Sequence, residues 1–569
     1  MLAPYKPNKE NAVIRFFDFL RDHAITVIIT VLVMIAVIAV IIVSTDSGKK
    51  SGSSQKKQKE PVKTAKSDSK YVSTGTIRLP MNRISSLNPL TSADADTFYI
   101  SQLVYSGLFK LNSDLNIRKD AVSSYKADPD SGRVQIRLKD GIRYSDGSML
   151  TAEDVIYTVN KIKTAGKKGA YFAYVKKIKN VTGYDRDIEI VFNDKKDAAL
   201  DNLIFPILNY GSFGAKATVG PAGSGKYKIS YYDKNKTVIR LTPNKKYYGK
   251  KAGNQIHFRQ IKNPSNTTGL ITTDALTAYL STESDARTDA DDKNLKSVFI
   301  RSNEMEYLGF NFHNRLLKYK VIRQALCYAI DTGEILKENY GNEYMLCDTV
   351  YFPGFLGVKN NGDAYKYNQS KAVSLLKKCG FADRNEDGIL ENKKGKKLSV
   401  KLVVNKNVYR RSDAATAIKD ELQDIGIHVR VKKLNEIDYR KALKNKDFDL
   451  ILAGYKFDKS YNLKDLFDKG NFLNYSNSVV SSSVNRLERA NSASKQKDVY
   501  VKLKKELLND IPYYCIGYKR YTFITVKKFE METEPTFFDI YRGIDTWKWK
   551  RTVTPDKASD TYKKGSCST

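Results

Sequence analysis

The sequence is poor in the residues that build catalytic and metal centres. Its four histidines, His23, His257, His313 and His428, lie far apart, and no HxxxH, GxSxG or phosphate-loop pattern accompanies them. Cysteine is scarce and odd in number: Cys327, Cys347, Cys379, Cys515 and Cys567, with no CxxC spacing. That argues against a zinc site or a disulfide framework. Cys327, inside the helical pattern RQALCYAI, reads as a small buried apolar residue. Nothing in the residue set points to an enzyme, a cofactor or a resident metal. Acidic residues are also few: 63 Asp and Glu stand against 97 Lys and Arg, a formal net charge of +34. The excess is spread along the chain and not gathered in one block, so it reads as a solvated surface suited to an anionic setting, acidic lipid or an anionic cell-wall polymer. No nucleic-acid module is present, and nucleic acid is not an expected partner.

One stretch lacks charge altogether. Ala24–Val43, AITVIITVLVMIAVIAVIIV, is long enough to cross the ~30 Å hydrocarbon core of a bilayer as one helix. A secretory signal has a shorter apolar core of about 7 to 15 residues and a small-x-small cleavage site, whereas this run ends in VIIVST, and no Cys follows it for lipid attachment. A retained single-pass anchor is therefore expected. On flanking charge alone the body would stay inside: Lys6, Lys9, Arg15 and Arg21 precede the run, but Lys49, Lys50, Lys56, Lys57, Lys59 and Lys63 follow it. Long domains translocate regardless of such charges. The expected order is a cytoplasmic tail (1–23), the transmembrane anchor (24–43), a flexible Lys/Ser-rich tether (44–70) that cannot bury enough apolar surface to fold, and a large body from residue 71. That body is too long for one hydrophobic core.

In the body, TIRLP leads into a Leu87-Asn88-Pro89 turn, and TFYISQLVYSGLF reads as a helix. Val134, Ile136 and Leu138 alternate as on a half-buried strand, Asp140-Gly141 and Asp146-Gly147 are turn dipeptides, and Thr151 with Asp154 forms a capping box. Val321–Ile335 carries a helical stripe, and Asp331-Thr332 caps a second helix. Strand, helix, strand and strand follow at 398–404, 414–425, 427–431 and 448–453, the order of a parallel α/β unit. Asp383-Arg-Asn385-Glu-Asp387-Gly388 resembles the opening of a calcium loop, but its twelfth position is Lys394 where a bidentate Glu is required, so it is read as a turn.

RLKDGIRYSDGSMLTAEDVIYTVNKI resembles the signature of the extracellular solute-binding proteins that serve peptide and nickel ABC transporters. Further similar motifs arrive in that family's order: LVYSGLF, GSGKYKI, LTPNKKYYG, YLGFNFHNRLLKYKVIRQALCYAID, AVSLLKKCGFADRNEDGIL and FDLILAGYKFD. The resemblance implies an α/β fold, a bilobal periplasmic-binding-protein-like clamp with three regions, here preceded by one transmembrane helix. It divides the body into a discontinuous lobe I (71–101, 213–303 and 506–555), a region II (102–212), a lobe III (304–505) and a C-terminal tail (556–569). It implies a peptide-like solute captured by hinge closure and delivered to an ABC permease with its ATPase subunits, on the extracytoplasmic side of the membrane. Two alternatives keep the clamp: a metal chelate or other small solute, or a surface sensor or scaffold binding wall polymer.

By the same resemblance, the backbone of Ala453, Gly454, Tyr455 and Lys456 adds an extended ligand to a sheet, and Asp458 pairs with its amino terminus, a task suited to a carboxylate because a desolvated ammonium requires a charged acceptor. Arg83 and Ile84 match a cleft-lining loop, and Tyr307 and Asn311 match the start of the opposing wall. This chain departs from the family in lacking Pro after the strand, in carrying Tyr455 where Trp is common, and in placing Lys456 and Lys459 beside Asp458.

Overall fold

A computed structural model describes residues 71–550 apart from 73–74, 129, 196–197, 211–220, 264, 266, 342, 409, 458–462 and 491. The expected anchor, the tether, both tails and Asp458 lie outside the described residues. Among those described, no helix is long and apolar enough to cross a membrane.

Strands β1 (Tyr71–Val72) and β2 (Gly75–Met81) open the fold and lead to a helix, Ala95–Val104. The hairpin β3 (Phe109–Leu111) and β4 (Ile117–Lys119) follows. Next comes an antiparallel sheet of β5 (Val122–Asp128), β6 (Arg133–Leu138), β7 (Ile178–Tyr184) and β8 (Asp187–Phe192), in the order β5-β6-β8-β7. The alternation read in β6 holds: Val134, Ile136 and Leu138 are buried and the residues between them exposed, as the two-residue period of a strand requires. The helix Ala152–Ala165 connects β6 to β7, and the Asp154 carboxylate accepts the Thr151 N–H at 2.9 Å. A second four-stranded sheet joins β2 to β9 (Tyr227–Tyr232), β10 (Val238–Pro243) and β11 (Asn254–Gln260), with β2 and β11 parallel.

The largest sheet has seven strands: β12 (Ala278–Ser281), β13 (Lys296–Phe310), β14 (Tyr344–Met345), β15 (Ser399–Asn405), β16 (His428–Leu434), β17 (Leu450–Lys456) and β18 (Tyr513–Thr525). Its order is β12-β18-β13-β17-β15-β16, with β14 added on β18. β15 is parallel to both β16 and β17, and the helices Arg411–Asp424 and Glu436–Asn445 make the crossovers. Parallel neighbours need such connections, so the α/β unit expected from the pattern is present. β20 (Lys548–Lys550) pairs with both β1 and β19 (Phe529–Glu530) in a small three-stranded sheet.

Alternation divides the core between the two faces of this sheet. Leu308, Phe310, Leu402, Val404, Leu450 and Leu452 join one apolar cluster with the helices Lys320–Ala329, Thr332–Tyr340, Gln369–Lys378 and Arg411–Asp424. Met305, Tyr307, Val403, Ile451 and Ala453 belong to the other cluster, which extends to β2, β6 and β11. The sheet runs through the expected divisions at 303/304 and 505/506, since β13 spans the first and β18 follows the second while hydrogen-bonding to β13 along most of its length.

Local chemistry explains several elements. The Asp331 carboxylate accepts the Glu334 N–H at 3.0 Å and starts the helix Thr332–Tyr340. Cys327 is fully buried in the preceding helix. In the DRNEDG segment, the Asp383 carboxylate takes the Gly388 N–H at 2.9 Å, Gly388 has φ 81°, and Asp387 pairs with Lys397, the arrangement of a turn.

Candidate functional site

β17 is paired on both sides only at its start. Against β13 it pairs from Leu450 to Lys456, but against β15 only from Leu450 to Leu452. β15 ends at Asn405, and its chain turns away into the helix that begins at Arg411. Beyond Leu452 no described strand runs along that flank of β17. A sheet edge of this kind is a template for an added extended chain.

Beside this flank lies a cavity of about 290 Å3, lined by Glu304, Glu306, Arg410, Arg411, Gly454, Tyr455 and Lys456, with Tyr340, Tyr344 and Lys519 among the other walls. Its floor is a buried ion pair. Arg411, the first residue of its helix, donates from Nε to Glu306 Oε1 at 2.6 Å and from Nη2 to Glu306 Oε2 at 2.8 Å. The Tyr340 hydroxyl donates to Glu306 Oε1 at 3.1 Å. The side chains are 11% and 3% exposed. Burial disfavours the Arg411 charge, but the Glu306 carboxylate outweighs it and holds the guanidinium above its ordinary pKa. Gly454 has no side chain because the pair fills that space: a Cβ there lies 2.7 Å from Arg411 Nη2 and 3.1 Å from Glu306 Oε2.

A second pair forms the rim. Lys456 Nζ lies 2.7 Å from Glu304 Oε1, and the Tyr521 hydroxyl donates to the same oxygen at 2.8 Å. Burial raises the Glu304 carboxyl, but these two hydrogen bonds win and hold it below the usual carboxylate range. Arg410, with φ 62°, bridges to Asp285 at 2.9 and 3.1 Å. The site thus offers main-chain groups along a strand edge, a charged floor that is already neutralised, and cations at the rim.

Of the residues expected from the sequence, Gly454, Tyr455 and Lys456 line this cavity, and buried Ala453 precedes them in the strand. Arg83 is exposed on a loop held by Asp94 and Asp96, whose carboxylates take the N–H groups of Ser85 and Asn82. Ile84, at 3% exposure, is a core residue. Tyr307 and Asn311 also need correcting from cleft wall to interior. Tyr307 is 3% exposed and packs edge-on against Tyr513. The Asn311 amide donates to the carbonyls of Lys446 and Phe448 and accepts from His313 N and Asn474 Nδ2, which uses its whole hydrogen-bonding capacity. The reading of the sequence missed Glu304, Glu306, Arg410 and Arg411. One signal was available: two glutamates inside NEMEYLGF, otherwise a buried strand, which require cationic partners.

The family model for bacterial extracellular solute-binding proteins, family 5 Middle, matches residues 116–472. Among curated relatives, the oligopeptide-binding protein AppA of Bacillus subtilis (strain 168) is 25% identical over 458 residues, covering 76% of this chain and 83% of that protein. The nickel-binding protein NikA of Staphylococcus aureus (strain NCTC 8325 / PS 47) is 24% identical over 431 residues, covering 72% and 82%. Among solved structures, the unliganded open form of the periplasmic murein tripeptide-binding protein MppA superposes with a TM-score of 0.71 at 17% identity, covering 83% of this chain and 96% of that one.

Proposed function

The chain belongs to the bacterial extracellular solute-binding proteins of family 5, and from that premise we propose that it captures a peptide-like solute and delivers it to an ABC permease. The observation that carries this reading is the flank of β17 beyond Leu452, which no described strand covers and which lies beside the cavity over Arg411 and Glu306. An extended ligand laid there gains main-chain hydrogen bonds from Ala453–Lys456, independent of its side chains. Asp458, one residue beyond Phe457, receives the ligand's amino terminus, and Arg83 contributes from its loop. Closure of a two-lobed clamp about a hinge follows if the solute favours the closed state by its differential affinity. Ala24–Val43 anchors the chain in the membrane with its body on the extracytoplasmic side, where the positive surface suits acidic lipid or wall polymer. No catalytic step is part of this function.

The reading is tested by native mass spectrometry and titration calorimetry on the full chain in detergent. Co-purified or added peptides that bind one to one support it. Nickel is the ligand in the name of the Staphylococcus relative, and a nickel–histidine chelate that binds where no peptide does replaces the peptide reading with the chelate reading. Protease added to intact cells is expected to digest the body, and protection of the body until lysis overturns the extracytoplasmic assignment.

A further inference from the structure

Part of the wall of the cavity beside β17 comes from the short segment 282–285, which joins β12 to the helix Ala286–Asp292. Ser284 lines the cavity. It is half-buried, while Thr282, Glu283 and Asp285 around it are exposed, so the segment stands between the cavity and solvent. Three residues hold it there, and all three line the cavity. Arg410 donates from Nη2 to both Asp285 carboxylate oxygens, at 2.9 and 3.1 Å. Lys519 Nζ donates to the Thr282 carbonyl at 2.8 Å, and the Asp285 N–H donates to the Glu343 carboxylate.

The hold is weak and works against strain. Asp285 and Arg410 both have left-handed backbone, with φ 65° and 62°, a conformation that costs a residue other than glycine energy and persists only where surrounding contacts maintain it. The maintaining ion pair is open to water, with side chains 20% and 58% exposed, and such pairs contribute little and are screened by salt. The hold also crosses an irregularity in the large sheet. β12, from which the segment emerges, pairs with β18 from Thr522 to Thr525, whereas β14, next to Glu343, pairs with it at Tyr518 and Lys519. Between these stretches the β13–β18 ladder shifts register, from Arg301 opposite Arg520 to Met305 opposite Tyr518, and an extra residue of this kind bends a strand.

We propose, given that this cavity is the solute site, that segment 282–285 is a strap which closes it, held shut by Arg410, Glu343 and Lys519, and that release of the strap admits the solute. Weak, screenable bonds set against backbone strain leave the closed and released forms close in energy, which is what a strap that must open and shut requires. Arg410 is the movable holder, because the Asp285 carboxylate is the exposed end of its ion pair.

The test is the rate at which iodoacetamide, a neutral reagent, alkylates a thiol placed in the cavity wall by Tyr455→Cys, in the full chain in detergent without solute. Native Cys379, which is exposed, is the internal reference, and peptide mass spectrometry is the readout. In about 0.02 M NaCl the cavity thiol is expected to react more slowly than Cys379. Adding Asp285→Asn, which removes the charge but keeps a residue type tolerant of left-handed backbone, is expected to raise its rate about twofold to fivefold, the range that an exposed ion pair supplies. About 1 M NaCl is expected to bring the rate with Asp285 intact up to that of the variant and to leave the variant unchanged. If Tyr455→Cys does not fold, hydrogen exchange of the wild-type Asp285 N–H serves, with the same quickening expected between the two salt concentrations. Equal rates with and without Asp285→Asn at low salt, or rates that salt does not change with Asp285 intact, overturn the strap. No solute enters this test, so its failure leaves the peptide reading standing. A gated thiol in a chain that binds neither trialanine nor longer peptides by calorimetry removes the peptide reading and leaves the strap.

Discussion

Replacing Glu306 is the sharpest perturbation of the β17 site. Its carboxylate takes two hydrogen bonds from Arg411, at 2.6 and 2.8 Å, and one from the Tyr340 hydroxyl at 3.1 Å. With 3% and 11% side-chain exposure, both partners are largely shielded from water and depend on each other for their charge. Glu306→Gln keeps the shape but leaves the guanidinium without its counter-charge, and breaking a buried pair in this way costs about 3–5 kcal/mol. Arg411→Met leaves the carboxylate stranded and is expected to cost a similar amount. The double variant Glu306→Leu/Arg411→Met removes both charges, so it is expected to lie within about 1 kcal/mol of wild type, because an apolar replacement of a buried pair is often neutral or stabilising. The measurement is a double-mutant cycle from urea unfolding of the full chain followed by far-UV circular dichroism. Single variants that each cost under about 1 kcal/mol, with an additive double variant, are the behaviour of an exposed pair and refute the reasoning.

Asp458→Asn is expected to weaken peptides with a free amino terminus by about 2–5 kcal/mol, roughly 30- to 5,000-fold, and to leave N-acetylated peptides nearly unchanged; calorimetry showing equal loss for both removes Asp458 as the anchor. Burial, with the like charges of Asp331 and Asp424 adding to it, pushes the Glu421 carboxyl up to about 7, although the Asp331 N–H opposes the shift. The folded chain then holds a proton that the unfolded chain has released, so stability falls as pH rises from about 4.5 to about 7. Glu421→Gln is expected to reduce that fall in a series of thermal melts, and an unchanged slope counts against it. Asp331→Ala is expected to cost about 1 kcal/mol through loss of a helix cap; urea unfolding that shows no change counts against the cap.

Local elements were legible where one residue pattern has one physical solution. The alternation at Val134, Ile136 and Leu138 became β6 because a strand sends neighbours to opposite faces. Asp331 starts a helix because its carboxylate satisfies an N–H that the helix leaves open. Boundaries moved by a few residues. The expected strand 448–453 became Leu450–Lys456, because β13 continues to pair with β17 after the apolar run has ended. Tyr307 and Asn311 were misread because type alone does not tell a wall residue from a core residue. The face on which Tyr307 lies is decided by its pairing with Ala453 and Cys515.

By itself the sequence determined the family, the first crossover of the parallel unit and an apolar stretch long enough to span a bilayer. All of these depend on neighbours along the chain or on motif order. Only the tertiary structure decided which charges meet. Glu306 and Arg411 are brought together by β13, β17 and the start of a helix. Lys110 meets Asp120 and Lys226 meets Asp545, the second pair across more than three hundred residues of chain. Coulomb interactions and desolvation act between groups close in space, and the distance between such groups is set by the folded chain and not by their separation in sequence.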